Sequence, residues 1–210
     1  MTESNQIAAP PPIEKPADGV VAEFSRLDKA TYRAIAQTPT PTLDSALRRL
    51  TQAADHSKLW IGAAAALALV GGPRGRRAAI TGMVSVGVTS AVVNQGFKRL
   101  VHRTRPDRTS AEHTGRHVSM PTSTSFPSGH SASAFAFAEG VSHTMPLLGV
   151  PLHLSAAAVA YSRVHTGVHY PGDVIVGSLV GMATGELVAA LGDRIVPVTT
   201  TSASVGTAPA

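Results

Sequence analysis

The chain has 210 residues, which is enough for one domain with short appendages, and it contains no cysteine, which excludes disulfides and thiolate metal sites. Its formal net charge of +5 and sequence pI of about 10.1 favour an anionic partner, such as a membrane surface or a phosphorylated substrate. Only 4% of the residues are aromatic and the basic residues form no long run, so nucleic-acid binding is not expected.

The N-terminal part of the chain is polar. Residues 1–19 are rich in Pro, Ala and Glu and are predicted to be a disordered tail. They lack the basic start and apolar stretch of a secretory signal peptide, so we expect membrane targeting to use an internal segment. Residues 20–57 are predicted to form two amphipathic helices, interrupted by Pro39 and Pro41, with Thr42 capping the second. Neither is apolar enough to span a bilayer, so they lie on its surface, pack over one end of the core or form a solvated flank of the bundle.

The next part of the chain, residues 58–195, is predicted to be a single helical domain. Its apolar segments are rich in Ala, Gly and Ser, which let helices approach closely in lipid. No useful length alternates with period two, so strands are not expected. The fold class is therefore predicted to be all-α, a transmembrane helical bundle of about five spanning helices, with a soluble Ala-rich bundle as the alternative. The segments comprise residues 59–70, 78–97, 128–150, 152–161 and 174–191. Beyond them, residues 196–210 show no packing pattern and are predicted to be a disordered C-terminal tail.

Three polar clusters stand at the ends of these apolar segments. They comprise residues 98–106, 127–130 and 162–173. Because successive helices of a bundle alternate in direction, all three clusters are expected on the same side of the bundle. The sequence therefore predicts one site built from three separate parts of the chain.

The residue types in these clusters suit a phosphoryl group. Lys98, Arg105 and Arg163 can surround a phosphate, and the two arginines offer planar forks to its oxygens. Ser128 and Gly129 open a helix, where free backbone N–H groups favour an anion. The sequence thus predicts a phosphate-binding pocket at this end of the bundle.

Two histidines in the clusters are candidates for the chemistry. His130 follows Gly129 in the first helical turn and is expected to face the same anion. His169 and Asp173 are four residues apart, so a helix, or a tight turn capped by Asp173, would bring them together. The carboxylate then accepts the Nδ1 proton of the imidazole and leaves the other ring nitrogen available as a nucleophile or base.

The patterns K-x6-R-P, P-S-G-H and S-R-x5-H-x3-D, in this order, resemble the three signature motifs of the type 2 phosphatidic acid phosphatase (PAP2) superfamily. The resemblance covers Lys98 to Asp173 directly and the surrounding helices by their layout, and no defining position departs from the pattern. It implies a PAP2/haloperoxidase-like core and a phosphatase that needs neither a metal nor a cofactor.

The resemblance also implies a role for each residue. His169 is the implied nucleophile that takes the phosphoryl group, Asp173 its orienting partner, and His130 the general acid for the leaving lipid oxygen. The implied phosphate-binding set comprises Lys98, Arg105, Ser128, Gly129 and Arg163. We therefore predict a membrane lipid phosphatase that hydrolyses a phosphate monoester or diphosphate of a phosphatidate-type or polyprenyl lipid through a phosphohistidine.

Two other functions are compatible with these motifs. A vanadate-dependent haloperoxidase would use the same type of pocket, although such enzymes are usually larger and soluble. A non-enzymatic membrane protein that binds anionic lipid would need the basic residues but not the histidines. Bromide oxidation with vanadate would identify the first, and lipid binding without hydrolysis would identify the second.

The remaining basic residues and Trp60 receive structural interpretations. Trp60 is expected to anchor a helix at the membrane interface. Some arginines are expected to be topology signals or lipid headgroup contacts, namely Arg99, Arg103, Arg108 and Arg116. The other histidines are expected at the surface or at helix ends rather than in a zinc site, namely His102, His113, His117, His143, His153 and His165.

The distribution of positive charge predicts how a five-span protein would be oriented in the cell membrane. Alternating spans place Arg74, Arg76, Arg77 and Arg194 on the side opposite the motifs, and the other 14 of the 18 lysine and arginine residues on the motif side. The positive-inside rule then predicts a cytoplasmic active site.

Overall fold

A computed structural model describes residues 19–108 and 114–195, and within these ranges every regular element is helical, which confirms the all-α class. We number seven helices in chain order. They are α1 (Val20–Gln37), α2 (Pro41–Ala53), α3 (Lys58–Val70), α4 (Gly72–Leu100), α5 (Gly129–Thr144), α6 (Gly149–His165) and α7 (Pro171–Ile195). Short 3-10 turns occupy Asp55–Ser57, Thr114–Arg116 and Pro146–Leu148, and the stretch Val92–Phe97 of α4 is a π-helix. The predicted tails, apart from Gly19, and His113 lie outside the described residues.

The central helices α5 and α7 are in backbone contact along a stripe of glycines. Gly177, Gly181 and Gly185 recur every fourth residue on one face of α7, and each faces a carbonyl of the chain between Ser128 and Ala136. A Cβ at Gly177 would lie 2.5 Å from the Ser128 carbonyl oxygen, a distance that no side chain tolerates. Small residues at helical spacing are the usual means by which helices approach closely in lipid. This contact fixes the N-terminal ends of α5 and α7 beside each other.

The hydrophobic core lies where α3 and α4 pack against α5. Trp60 is 2% exposed, and its ring lies 5.3 Å from that of Phe137, which is fully buried on α5. The prediction of an interfacial Trp60 is therefore wrong. Its side chain lies on the same inward face of α3 as Ala64, four residues later, and both belong to the core cluster that includes Phe137.

Three helical stretches have the length and composition of membrane spans, namely Gly72–Leu100, Pro146–His165 and Pro171–Ile195. Their outer faces expose large apolar side chains such as Ile80, Leu154 and Leu179. Such faces suit contact with lipid chains, and the chain is a membrane protein of the predicted all-helical type. Helices α3 and α5 have 13 and 16 residues, which is short of the length that crosses a hydrocarbon core, so the count of five spans stays a prediction.

The two N-terminal helices pack over the motif end of the bundle. Helix α1 buries Tyr32 against Tyr170, with ring centroids 5.6 Å apart, while its first half exposes apolar side chains including Phe24. The prediction that Thr42 caps helix α2 is wrong by two residues, because the N-cap is Thr40 and the helix begins at Pro41. Pro41 occupies the first turn and Thr40 precedes it, with the Thr40 hydroxyl donating to the Asp44 carboxylate at 2.9 Å. Proline is well suited to this first position because its missing N–H has no partner there in any helix.

Candidate active site

The predicted nucleophile and its partner lie in the turn between α6 and α7. Helix α6 ends at His165 and α7 begins at Pro171, so His169 is in a turn rather than on a helix. Asp173, in the first turn of α7, accepts a hydrogen bond from the backbone N–H of Tyr170 at 2.9 Å. Its Oδ2 lies 3.4 Å from Nδ1 of His169. Of the two local geometries that the spacing allowed, the structure has the tight turn capped by Asp173.

Asp173 is completely buried and has three further fixed contacts. Its carboxylate accepts a hydrogen bond from the Ser125 hydroxyl and forms an ion pair with Nη1 of Arg103 at 2.6 Å. Its backbone carbonyl accepts the N–H of Ser128 at 2.9 Å. A carboxylate held in this way has no freedom to turn away from His169, and it therefore orients the imidazole.

The other ring nitrogen of His169 faces a cationic group. Nη1 of Arg105 lies 3.3 Å from Nε2 of His169 and donates to the Val168 carbonyl at 2.7 Å. When the ring proton is on Nδ1, which faces Asp173, the Nε2 atom carries the lone pair. This lone pair points towards the place where the Arg105 guanidinium would hold an anion. The position next to Nε2 thus suits the phosphorus atom of a bound phosphoryl group.

The other predicted cations complete the same pocket. Nζ of Lys98 would lie 3.9 Å from a Cβ at Gly129, so the amine faces the opening of α5. Arg163 is 3% exposed, donates to the Thr51 hydroxyl, and keeps its buried Nε without a partner among the described residues. A buried N–H donor without an acceptor costs free energy, which an anionic ligand would relieve. The structure therefore brings all three predicted cations to one place.

The start of α5 forms one side of the pocket. Ser128 is the N-cap of the helix and accepts hydrogen bonds from the backbone N–H and the hydroxyl of Ser131, at 3.4 and 3.0 Å. Gly129 and His130 form the first turn, where backbone N–H groups and the helix dipole favour a negative charge. Nε2 of His130 lies 2.8 Å from the carboxylate of Asp55, which sequence reasoning did not include.

Burial controls the protonation of His169. His169 is 3% exposed. Burial, assisted by the charges of Arg163 and Arg105, lowers the pKa of His169 to about 4 against the opposing effect of Asp173. The imidazole is therefore neutral at neutral pH, which is the form that can attack a phosphorus atom.

For three of the four arginines that were predicted to be topology signals or lipid headgroup contacts, the prediction is wrong. Arg103 joins Asp28 of α1, at 2.5 Å, to Asp173, and stacks 4.4 Å above the ring of Tyr170. Arg116 is 1% exposed and donates to carbonyls at the end of α1, and Arg108 donates to the carbonyls of Gly167 and Val118. These arginines donate to carbonyls and carboxylates at chain turns, and they are therefore half-buried, in the case of Arg103 and Arg108, or buried, in the case of Arg116. Arg99 alone is exposed as expected.

Most of the other histidines agree with their interpretation, with one partial exception. His165 is the last residue of α6, as predicted for a helix-end residue, but it is not at the surface. It is 2% exposed, and its Nε2 lies 2.8 Å from the carboxylate of Asp44. Asp28, Asp44 and Asp55 all come from the N-terminal helical region and reach the motif residues. No signal in the sequence pairs them with partners more than 70 residues away. Within the described residues, no group of three His, Asp or Glu side chains could hold a metal ion.

Comparisons with known proteins show which sequences and folds this chain resembles. The chain matches the family described as the PAP2 superfamily over residues 78–196. A decaprenylphosphoryl-5-phosphoribose phosphatase from Mycobacterium tuberculosis is 33% identical over 159 residues, covering 72% of this chain and 82% of the relative. The protein of the same name from Mycolicibacterium smegmatis is 36% identical over 140 residues, covering 65% and 72%. A transmembrane PAP2 type phosphatidylglycerolphosphate phosphatase from Bacillus subtilis has a similar fold, with a TM-score of 0.66 at 22% identity, covering 84% of this chain and 89% of that one.

Proposed function

The chain belongs to the PAP2 superfamily, and on this premise we propose that it is a membrane phosphatase that removes phosphate from a polyprenyl-type lipid through a phosphohistidine at His169. The relatives from Mycobacterium and Mycolicibacterium support the lipid class, since both are named for a decaprenyl-linked substrate. Phosphatases of this kind need a nucleophile, an acid for the leaving oxygen and cations around the phosphate. The residues that we propose for these three roles lie close together in the pocket, which supports the proposal.

The first chemical step transfers the phosphoryl group to the enzyme. The phosphate oxygens lie among Lys98, Arg105 and Arg163, which stabilise the charge as it redistributes in the transition state. Nε2 of His169 attacks phosphorus, the bond from phosphorus to the leaving oxygen breaks, and His130 donates a proton to that oxygen. The products are phospho-His169 and the lipid alcohol. Asp173 stabilises the positive charge that the imidazole acquires.

The second step releases phosphate. A water molecule attacks phosphorus, the bond from phosphorus to Nε2 breaks, and His130, now without its proton, accepts a proton from the water. Inorganic phosphate leaves and both histidines return to their starting states. No metal is required in this scheme, because the cationic side chains carry out the charge stabilisation that Mg²⁺ supplies in many phosphoryl-transfer enzymes.

One observation carries the proposal: His169 has its two ring nitrogens in opposite environments. Nδ1 lies 3.4 Å from a fully buried carboxylate and Nε2 lies 3.3 Å from an arginine. The first distance is longer than a standard hydrogen bond, as is common in catalytic pairs before substrate binds. A protein that only bound anionic lipid would gain nothing from a buried, neutral histidine beside its cations.

The location of the pocket suits a substrate that stays in the bilayer. It lies at the end of the spans, at the start of α5 and α7, so a lipid headgroup can enter from the membrane edge while its chain remains in the hydrocarbon. We place this end on the cytoplasmic side of the cell membrane, on the support of the lysine and arginine distribution alone.

Phosphate release by the detergent-purified protein tests the proposal. The substrates are phosphatidate, a polyprenyl monophosphate and a polyprenyl diphosphate, each with EDTA present, and His169→Ala is assayed beside the parent protein. We expect release that survives EDTA, is blocked by vanadate and is absent in His169→Ala. Release that persists in His169→Ala, or that EDTA abolishes, would contradict the mechanism.

A further inference from the structure

Helix α1 rests on the bundle with its second half only. Four of its residues are neighbours on one side of the helix because they follow one another at intervals of four. They are Val20, Phe24, Asp28 and Tyr32. Tyr32 is buried and Asp28 is half-buried, whereas Val20 and Phe24 are exposed. The first two turns of α1 therefore extend beyond the bundle, and we call them the projecting segment, Val20–Leu27.

The projecting segment presents a group of large apolar side chains. They are between 62% and 84% exposed, and they comprise Val20, Val21, Phe24 and Leu27. None of the four belongs to a hydrophobic cluster of the described residues. A single exposed apolar side chain is ordinary on a protein surface, but a contiguous group marks a contact with a partner or with a membrane.

The position of the projecting segment identifies the membrane as its partner. Asp28, the next residue along α1, accepts the backbone N–H of Gly172 at 2.7 Å, in the first turn of α7. Helix α7 is a candidate membrane span, and its outer face begins three residues further along, where Ile175 is exposed. The apolar side chains of the projecting segment thus adjoin the end of a lipid-facing surface. They continue that surface across the edge of the bundle.

The charges of α1 suit the headgroup region of a bilayer. The helix has 18 residues, but it is not among the candidate spans of the described chain. Its three basic residues are all exposed, namely Arg26, Lys29 and Arg33, while Asp28, one of its two acidic residues, is paired with Arg103. A helix with an apolar side and a basic polar side lies in the plane of the membrane surface, with its cations near anionic headgroups.

We infer that the projecting segment is embedded in the bilayer surface beside the bundle, and that this contact holds Asp28 in place at the active site. Asp28 accepts the Gly172 N–H and pairs with Arg103 at 2.5 Å, and Arg103 in turn contacts the carboxylate of Asp173. A helix end opens at little cost in free energy when few buried contacts hold it. Lipid around the projecting segment supplies such contacts, so opening that starts at the end of α1 is stopped before Asp28.

Spin labelling tests where the projecting segment lies. The chain contains no cysteine, so one introduced cysteine carries a nitroxide at one chosen position. Phe24→Cys places the label on the apolar side, and the matched control Arg26→Cys places it two residues later, which is a rotation of about 200° around the helix. The protein is reconstituted in vesicles of phosphatidylethanolamine and phosphatidylglycerol. The accessibility of each label is measured to oxygen, which concentrates in lipid, and to a water-soluble nickel chelate.

We expect the label at position 24 to respond mainly to oxygen and the label at position 26 to respond mainly to nickel. An oxygen-to-nickel ratio at position 24 no higher than that at position 26 would overturn the inference, because the segment would then be in water. A label at position 24 that responds to neither reagent would also overturn it, because protein, such as a second copy of the chain, would then cover the position. No turnover is needed, so the result is independent of the proposed function.

Hydrogen exchange in the same vesicles tests the link to the active site. Phe24→Ser combined with Leu27→Ser removes two apolar contacts from the projecting segment. We expect this double variant to exchange the Gly172 amide, whose acceptor is Asp28, about fivefold faster or more than the parent protein. Arg26→Ser is the control and is expected to leave that exchange rate unchanged. Equal rates in the parent protein and the double variant would overturn the link between membrane contact and Asp28.

Discussion

Arg103 offers a sharp test of how the N-terminal helix supports the chemistry. Its guanidinium joins Asp28 of α1 and the buried Asp173, at 2.5 and 2.6 Å, and lies above the ring of Tyr170. Arg103→Met keeps much of the side-chain length and removes the charge. Asp173 then retains Ser125 and the Tyr170 N–H but loses its cation, and Asp28 loses the link from α1 to the loop before α5.

The magnitude follows from the burial of these groups. Asp173 is 0% exposed and Arg103 is 23% exposed, so the ion pair is weakly screened. Loss of a charge-assisted hydrogen bond together with a cation–π contact destabilises the fold by about 3 kcal/mol. For a chain of this size that corresponds to a fall of about 6–12 °C in the melting temperature. Misplacement of His169 by a fraction of an ångström is expected to lower kcat by about 10- to 100-fold.

The assay compares melting temperature, kcat and KM in detergent at a temperature well below unfolding. Arg99→Met is the matched control, because Arg99 is exposed and only four residues away in sequence. Arg103→Lys is expected to be intermediate, since one amine cannot reach two carboxylates with the geometry of a guanidinium. We expect KM to change little, because the phosphate-binding cations are untouched. A kcat within twofold of the parent value in folded Arg103→Met would refute the reasoning.

Three further predictions follow from the contacts. The pKa of His169 is lowered from 6.5 to about 4, so between these pH values the unfolded state binds more protons than the folded state, and the stability of the fold rises with pH across that window. Melting temperatures measured from pH 4 to 7 should therefore show that the parent protein loses more stability in acid than His169→Gln does. Gly181→Ala places a Cβ against a backbone carbonyl of α5 and is expected to destabilise the fold by about 1–3 kcal/mol. Gly87→Ala places its Cβ in open space and is expected to stabilise the fold by up to about 1 kcal/mol. Equal melting temperatures for the two variants would contradict this prediction. Asp55→Asn removes a negative charge 4.0 Å from Arg163, so the vanadate concentration that gives half-maximal inhibition should fall by up to about threefold. An unchanged concentration would show that the carboxylate does not compete with the anion.

The sequence was sufficient to predict which residues meet, because the motifs flank apolar segments and alternating helices must return their ends to the same side. The turn that joins His169 to Asp173 was also among the geometries that the spacing allowed. Arg103 and Asp28 could not be paired in this way, since they are 75 residues apart and no periodicity relates them. The burial of Trp60 was missed for a similar reason: its environment depends on Phe137 of another helix. Local patterns predict elements and shared faces, whereas long-range ion pairs depend on how the elements pack.

The glycine stripe between α5 and α7 has a consequence for how this enzyme can diversify. His130 opens one of these helices and His169 precedes the other, and a backbone hydrogen bond of 2.9 Å from Ser128 to Asp173 joins them. The backbone positions of His130 and His169, the proposed acid and nucleophile, are therefore held relative to each other by main-chain contacts. New substrates must then be accommodated by the surrounding walls, such as α4 and the turn Asp55–Ser57. Exchanging those walls between relatives is a route to altered substrate range with the reaction itself preserved.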